Sequence, residues 1–127
     1  YYFSKTVQLP YDEAVKKVIE ELKEEGLGVI TEIDMHDKLH EKLGVQIDRY
    51  KILGVCKPDM AYKAIQAEEN LGVFLPCKVI VKEKGEKKSE IVAVDTEVMM
   101  KMVGNDELDE IAEVVNKHLR KAIEEVK

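Results

Sequence analysis

Residues 73–95, VFLPCKVIVKEKGEKKSEIVAVD, decide the fold class of this chain. Apolar residues alternate with lysines in the first part of the stretch, which predicts a half-buried strand over about Val73–Lys82. A second apolar run predicts a strand over Glu90–Asp95. The charged segment Glu83–Lys88 between them contains Gly85 and predicts a hairpin turn. The two strands are therefore antiparallel, which argues against a parallel, doubly wound sheet and favours an α+β fold.

Strand-like and helix-like patterns alternate in the first half of the chain. A period of two marks the strands, whereas the helices show apolar residues at helical spacing, prolines in the first turn and closing glycines. We predict strands at Tyr1–Leu9, Leu27–Ile33 and Ile47–Cys56, and helices at Pro10–Gly26, Asp34–Gly44 and Pro58–Asn70.

The last helix is predicted from Asn105 or Asp106 to the end of the chain. Its apolar residues step by four and three alternately, as in a coiled-coil seam, but two further isoleucines widen the stripe and favour docking on a sheet. Residues 96–103 are predicted to form a short helical turn. These elements predict a single α+β domain over residues 1–127, in which helices back a mainly antiparallel sheet of about five strands.

The composition limits the class of protein. The 127 residues suit one domain, and 45% of them are apolar, which is enough for a core without metal or disulfide staples. The net charge of −6, with 20 basic residues interspersed among 26 acidic ones, argues against a nucleic-acid-binding protein. The apolar runs fall far short of the roughly 20 residues that cross a membrane, and no signal-peptide pattern is present. We expect a soluble, cytoplasmic protein, although a start at Tyr1 leaves open whether a preceding segment was removed.

The candidate site is the pair of cysteines, Cys56 and Cys77. Cys56 ends the third predicted strand and Cys77 begins the fourth. Counting alternate positions puts each on the apolar face of its strand, together with Tyr50, Ile52 and Gly54 in the third. If the two strands are antiparallel neighbours, both sulfur atoms lie at one end of the sheet. They would then lie beside the N-terminus of the helix between the strands, where the helix dipole lowers a thiol pKa.

Two alternatives to this site stay open. A right-handed crossover between parallel strands would put the cysteines about 20 Å apart, which is too far for a disulfide or a shared metal ion. The cysteines can also be small buried hydrophobes, because a C-x20-C spacing matches no standard signature.

A second candidate site lies on the predicted helix over Asp34–Gly44. His36 and His40 are four residues apart, which lets two imidazoles bind one metal ion. Zinc would need further ligands, for which Asp37 and Glu32 are local candidates. A polar helix face next to an apolar stripe is the simpler interpretation of the same pattern.

Several segments of the chain resemble the domain of unknown function 302 (DUF302) family. They are YKILGVCKP at 50–58, the alanines of 61–64, LPCKVIV at 75–81, Val94-Asp95 and Met99-Met100. The similarity extends over essentially the whole chain. It departs from the family pattern at Thr96, where the family has proline after the aspartate.

The resemblance implies an architecture rather than an activity, since the family is uncharacterised. It implies a small TBP-like α+β fold with a curved antiparallel sheet backed by helices, and a homodimer. Such a meander would bring Cys56 and Cys77 to one end of the sheet. Among the residues that match the family pattern, Cys56, Pro58, Cys77 and Asp95 are carried over as ligand-binding candidates.

Three functional hypotheses are compatible with these patterns. The first is a binding module in which Cys56 and Cys77 contact a small ligand or a soft metal ion. The second is a thiol–disulfide redox protein, against which the absence of a C-x-x-C motif counts. The third is a structural module that forms a homodimer through its last helix or a sheet edge. Nothing in the sequence requires catalysis, and the cofactor, ligand and pathway are not identified by it.

Overall fold

The computed structural model describes all residues, Tyr1–Lys127. Its single sheet has five strands in the order β1-β5-β4-β3-β2, and every neighbouring pair is antiparallel. The predicted α+β class, with helices backing an antiparallel sheet of about five strands, is therefore confirmed. The strands are β1 (Tyr2–Val7), β2 (Gly28–Asp34), β3 (Tyr50–Cys56), β4 (Cys77–Gly85) and β5 (Lys88–Val94).

The hairpin that decides the fold class is tighter than the sequence predicts. β4 continues to Gly85 and β5 starts at Lys88, so the turn between the strands is short. The register of the two strands shifts between Glu83 and Gly85, which marks a β-bulge next to the turn. The charged segment thus contributes ladder residues as well as the turn.

Five α-helices accompany the sheet, with short 3₁₀ turns at Glu69–Val73 and Asp106–Leu108. None of them combines the length and the apolar character needed to cross a membrane. The helices are α1 (Tyr11–Glu24), α2 (Met35–Leu43), α3 (Pro58–Ala67), α4 (Thr96–Lys101) and α5 (Asp109–Glu124).

The main core lies between the sheet and the two long helices, α1 and α5. Each helix turns one apolar stripe inward, because its apolar residues recur every three or four positions. Leu22 of α1 and Leu119 of α5 are fully buried against strand residues such as Val79 and Ile91. The last helix therefore docks on the sheet, as its widened stripe predicts, and its apolar stripe is not free to form a coiled coil.

β1 completes the sheet from the far end of the sequence. It pairs with β5 along its whole length, from Tyr2 opposite Val94 to Val7 opposite Ser89. The side chain of Lys5 in β1 donates hydrogen bonds to the carbonyl oxygens of Glu124 and Val126, at the end of α5. The first strand and the last helix are thus joined directly.

The prediction for the inward face of β3 is wrong by one residue. The core side chains of this strand are Leu53 and Val55, which are fully buried, whereas Ile52 is half-buried on the opposite face. The run from Ile52 to Val55 is apolar at every position, so alternation cannot choose between the two faces. The pairing with β4 determines which face of β3 is buried. Leu53 lies opposite Val79 and Val55 lies opposite Cys77, and Val79 and Cys77 are both on the core face of β4.

The connection between α3 and β4 also differs from the prediction. The helix predicted to continue to Asn70 ends at Ala67, and the strand predicted from Val73 starts at Cys77. The 3₁₀ turn over Glu69–Val73 occupies the interval. Pro76 has no N–H group to donate to a sheet ladder, which is consistent with a strand that begins immediately after it.

Gly54 in β3 has no room for a larger side chain. A Cβ atom at this position would lie 2.7 Å from Cγ of Pro76 and closer still to Oγ1 of Thr31. Gly28, which lies in the neighbouring strand, has nothing within 4 Å of the corresponding position. The two glycines therefore provide a matched test of packing on the sheet.

We expect Gly54→Ala to lower the free energy of unfolding by about 2 kcal/mol, because the added methyl group forces Thr31 and Pro76 apart. Gly28→Ala should change it by less than about 0.5 kcal/mol, as is usual for a site without close contacts. Urea unfolding of both variants measures the difference. Equal effects of the two substitutions would show that the packing around Gly54 is not restrictive.

Candidate functional site

The two cysteines lie at the same rim of the sheet. Cys77 is the first residue of β4 and lies opposite Val55, while Cys56 follows Val55 at the end of β3. The parallel crossover, which would separate the cysteines by the length of a strand, is thereby excluded. Both are free cysteines with no disulfide between them. Cys56 follows the buried Val55 and so alternates to the face of β3 opposite the core, and its predicted place on the apolar face is wrong for the same reason as that of Ile52. Direct contact of the two sulfur atoms stays a prediction.

Both cysteines line one cavity of about 310 Å³. Of the 18 residues that line it, 14 are hydrophobic. Its walls come from the rim of β2, β3 and β4, from α3, and from α4 and α5 on the far side. Its volume lies near the lower end of the range for small-molecule sites, and its apolar lining is typical of them.

The cavity lies between the main core and a second, smaller apolar cluster. The second cluster joins α3 to α4 and α5, with Ala64, Leu71, Met100, Leu108 and Ala112 buried. Alanines face the cavity from both α3 and α5. These small side chains leave space where larger ones would fill the gap between the helices.

The environment of Cys77 differs from the sequence-based expectation. Only 8% of Cys77 is exposed, and this burial raises the pKa of its thiol to about 11, since Lys78 offsets the effect only in part. The charge of Cys56 makes a smaller contribution in the same direction as burial. The expected activation of this thiol by a helix N-terminus is therefore wrong for Cys77, which carries its proton at neutral pH.

The other residues carried over from the family pattern have local structural roles. Pro58 is the first residue of α3, where a missing N–H group costs nothing. Asp95 caps α4, because its Oδ1 accepts hydrogen bonds from the backbone N–H groups of Glu97 and Val98. Neither Pro58 nor Asp95 lines the cavity that contains the cysteines.

Thr96, where the chain departs from the family pattern, makes two hydrogen bonds that connect α4 to α5. Its backbone N–H donates to Oδ1 of Asn116 at 3.1 Å, a bond that proline could not make. Its hydroxyl donates to the carbonyl oxygen of Ala112 at 2.7 Å. Thr96 therefore ties the start of α4 to the buried side of α5 and lines the cavity with groups that are already hydrogen-bonded.

The histidines of the second candidate site lie on α2, away from the cavity. Nδ1 of His36 accepts a hydrogen bond from the backbone N–H of Tyr50 at 3.0 Å, and His40 is exposed. The structure contains no group of three or more His, Cys, Asp or Glu side chains that could hold a metal ion. The two imidazoles thus lack the further ligands that zinc would need.

Sequence patterns did not identify most of the cavity. No pattern in the sequence indicated the lining residues that precede or lie on helices. Lys57 has the position of a residue that caps a helix, and Met60, Ala61 and the cavity-facing residues of α5 have the pattern of helix faces in a core. The one signal in the sequence is the presence of small alanines on two apolar helix faces. These alanines indicate a cavity only when it is known that the two helices face one another.

We expect Cys77 to titrate well above an ordinary thiol. In a Cys56→Ser variant, which keeps the burial of Cys77 and removes the smaller effect of Cys56, the Cβ chemical shift of Cys77 should change with a midpoint well above the value of about 9 for the same chain unfolded in urea. Because the pKa of Cys77 is higher in the folded than in the unfolded chain, its contribution to the free energy of unfolding is fully present below about pH 9. This contribution is lost as the pH rises from about 9 towards 11. A midpoint at or below that of the unfolded chain would contradict the apolar environment inferred for this thiol.

We expect Asp95 to stabilise the folded domain by capping the N-terminus of α4. Asp95→Ala removes the acceptor for two N–H groups and should lower the free energy of unfolding by about 1 kcal/mol. Asp95→Asn keeps an oxygen acceptor and should lose less than half of that. Urea unfolding of the two variants distinguishes a cap from a residue that only binds ligand, for which both substitutions would leave stability unchanged.

Comparisons with known proteins agree with the fold. No curated protein matches the chain. Among solved structures, an uncharacterised conserved DUF302 protein from Bacillus stearothermophilus is similar, with 27% sequence identity and a TM-score of 0.91 over 100% of this chain and 98% of that one. The sequence profile of the domain of unknown function DUF302 matches residues 3–126. The chain therefore belongs to the DUF302 family.

Proposed function

We propose that this domain binds a small, predominantly apolar molecule in the cavity beside Cys56 and Cys77. The observation that carries the proposal is the cavity itself, an apolar space of about 310 Å³ that the side chains leave unfilled. The space is partly open to solvent, and contiguous apolar surface that is accessible in this way often marks a ligand-binding groove. An unfilled apolar space at the rim of a sheet is the usual setting of a small-molecule site.

The protonation of the Cys77 thiol favours this proposal over the two alternatives that need a thiolate, a soft-metal site and a thiol–disulfide redox function. A soft metal ion and a disulfide exchange reaction both need the thiolate. With a pKa raised to about 11, Cys77 is deprotonated in only about one molecule in 10,000 at pH 7. A protonated, buried thiol behaves as a small, polarisable apolar group, which suits contact with an apolar ligand.

Assembly into a homodimer is compatible with ligand binding and stays a proposal. α5 contributes its apolar face to the core, so the last helix is a poor choice of interface. The edge strand β2 and helix α2 are better choices, because α2 has no buried residue and Leu43 at its end is 70% exposed. Exposed apolar side chains grouped on one surface are a common feature of interfaces.

Naphthalene is a suitable probe for the cavity, since it is neutral, fluorescent and of the right size. We expect it to bind the wild-type domain at one site. Ala61→Phe should weaken this binding at least about tenfold, because the new ring projects from α3 into the cavity that Ala61 lines. Titration followed by naphthalene fluorescence measures the dissociation constant.

Gln66→Phe is the matched control for this experiment. Gln66 lies on the same helix, is exposed and does not line the cavity, so an aromatic ring there should leave naphthalene binding unchanged. Urea unfolding of both variants confirms that α3 is intact. Failure of the wild-type domain to bind naphthalene, or equal binding by wild type and Ala61→Phe, would refute the proposed use of the cavity.

A further inference from the structure

The lining of the cavity contains a single charged side chain, that of Lys57. The four residues that are not hydrophobic are Lys57, Gly72, Pro76 and Thr96. Thr96 has already donated its hydroxyl to Ala112, and the thiol of Cys77 is protonated at neutral pH. Lys57 is therefore the one residue of the lining whose side chain carries a formal charge at neutral pH.

The ammonium group of Lys57 lies beside Gly26, next to the lining residue Leu27, and has no strong partner of its own. Its side chain is 18% exposed, and Nζ lies 3.8 Å from Oδ1 of Asp59, which is itself largely exposed. A contact of this length between partly solvated groups contributes little. A Cβ atom on Gly26 would lie 3.1 Å from Nζ, so the ammonium group rests over the turn that leads into Leu27, another lining residue.

The local backbone favours negative charge at the same place. Lys57 is the residue that precedes α3, and α3 begins with Pro58 next to it. The positive end of the helix dipole thus adds to the field of the ammonium group. The other lining residues carry no charged side chain that would compete with Lys57 for an anionic group.

The geometry points to a small organic monoanion as the ligand, with its apolar body in the cavity and its anionic group at Lys57. This inference rests on the ligand-binding function proposed above and specifies the chemical class. A cavity of about 150 Å³ is enough to bind benzene, so a volume of about 310 Å³ suits a molecule of roughly twice that size, with about ten to twelve non-hydrogen atoms. A medium-chain or aromatic carboxylate satisfies both conditions.

Octanoate and 1-octanol test the charge preference, because they share a chain and differ in the head group. Each is titrated against naphthalene bound to the wild-type domain at neutral pH. Octanoate should displace naphthalene at about tenfold lower concentration than octanol, since a hydrogen bond between charged groups adds that much or more. Octyl sulfate shows whether the site takes any monoanion or prefers a carboxylate.

Substitution of Lys57 assigns the preference to one residue. Lys57→Met keeps an apolar stem of similar length and removes the charge, so octanoate should lose its advantage of about tenfold while octanol binds as before. Lys57→Arg keeps the charge and should restore most of the preference. Lys63→Met removes a lysine from an exposed position of the same helix that does not line the cavity, and should have no effect.

The outcomes separate this inference from the proposed function. Equal displacement by octanoate and octanol, or an octanoate preference that survives in Lys57→Met, would overturn the monoanion while leaving the cavity as a ligand site. Stronger displacement by octylammonium would overturn it as well. Failure of the wild-type domain to bind naphthalene, octanol and octanoate alike would overturn both.

Discussion

The antiparallel pairing of β3 with β4 is the constraint on which the rest of the structure depends. Because Val55 lies opposite Cys77, the chain leaves the sheet and re-enters it at one rim. The intervening residues leave and return at this rim, and α3 packs against α5 and the two 3₁₀ turns rather than across the strands. The second apolar cluster then holds α3 against α4 and α5, and the cavity is the space left beneath it.

The fold could be predicted where local patterns were sufficient. α1, α5 and the β4–β5 hairpin follow from helical spacing, from turn residues and from alternation, each of which is a property of consecutive residues. The face of β3 could not be predicted in this way, because Ile52-Leu53-Gly54-Val55 is apolar throughout. Only the pairing with β4 and the position of the helices decide which side chains are buried.

The candidate site was predictable only in part, for a related reason. The location of both cysteines at one rim follows once the strands are antiparallel, and the resemblance to the DUF302 family implied that arrangement. The cavity did not follow, because its walls come from elements that are distant in the sequence, such as Leu27 and Ala112. The raised pKa of Cys77 is a consequence of burial, which spacing cannot supply, and Lys57 had the sequence pattern of an ordinary surface lysine.

The pairing of β1 with β5 has a consequence for biosynthesis. When the first strand leaves the ribosome, its partner residues Lys88–Val94 have not yet been made, and the apolar stripe of α1 stays uncovered until α5 has emerged. Closure of the sheet is thus delayed until β5, more than 80 residues after the start of β1, has been translated. Until then the nascent chain exposes an unpaired strand and an apolar helix face, the features that molecular chaperones protect from aggregation.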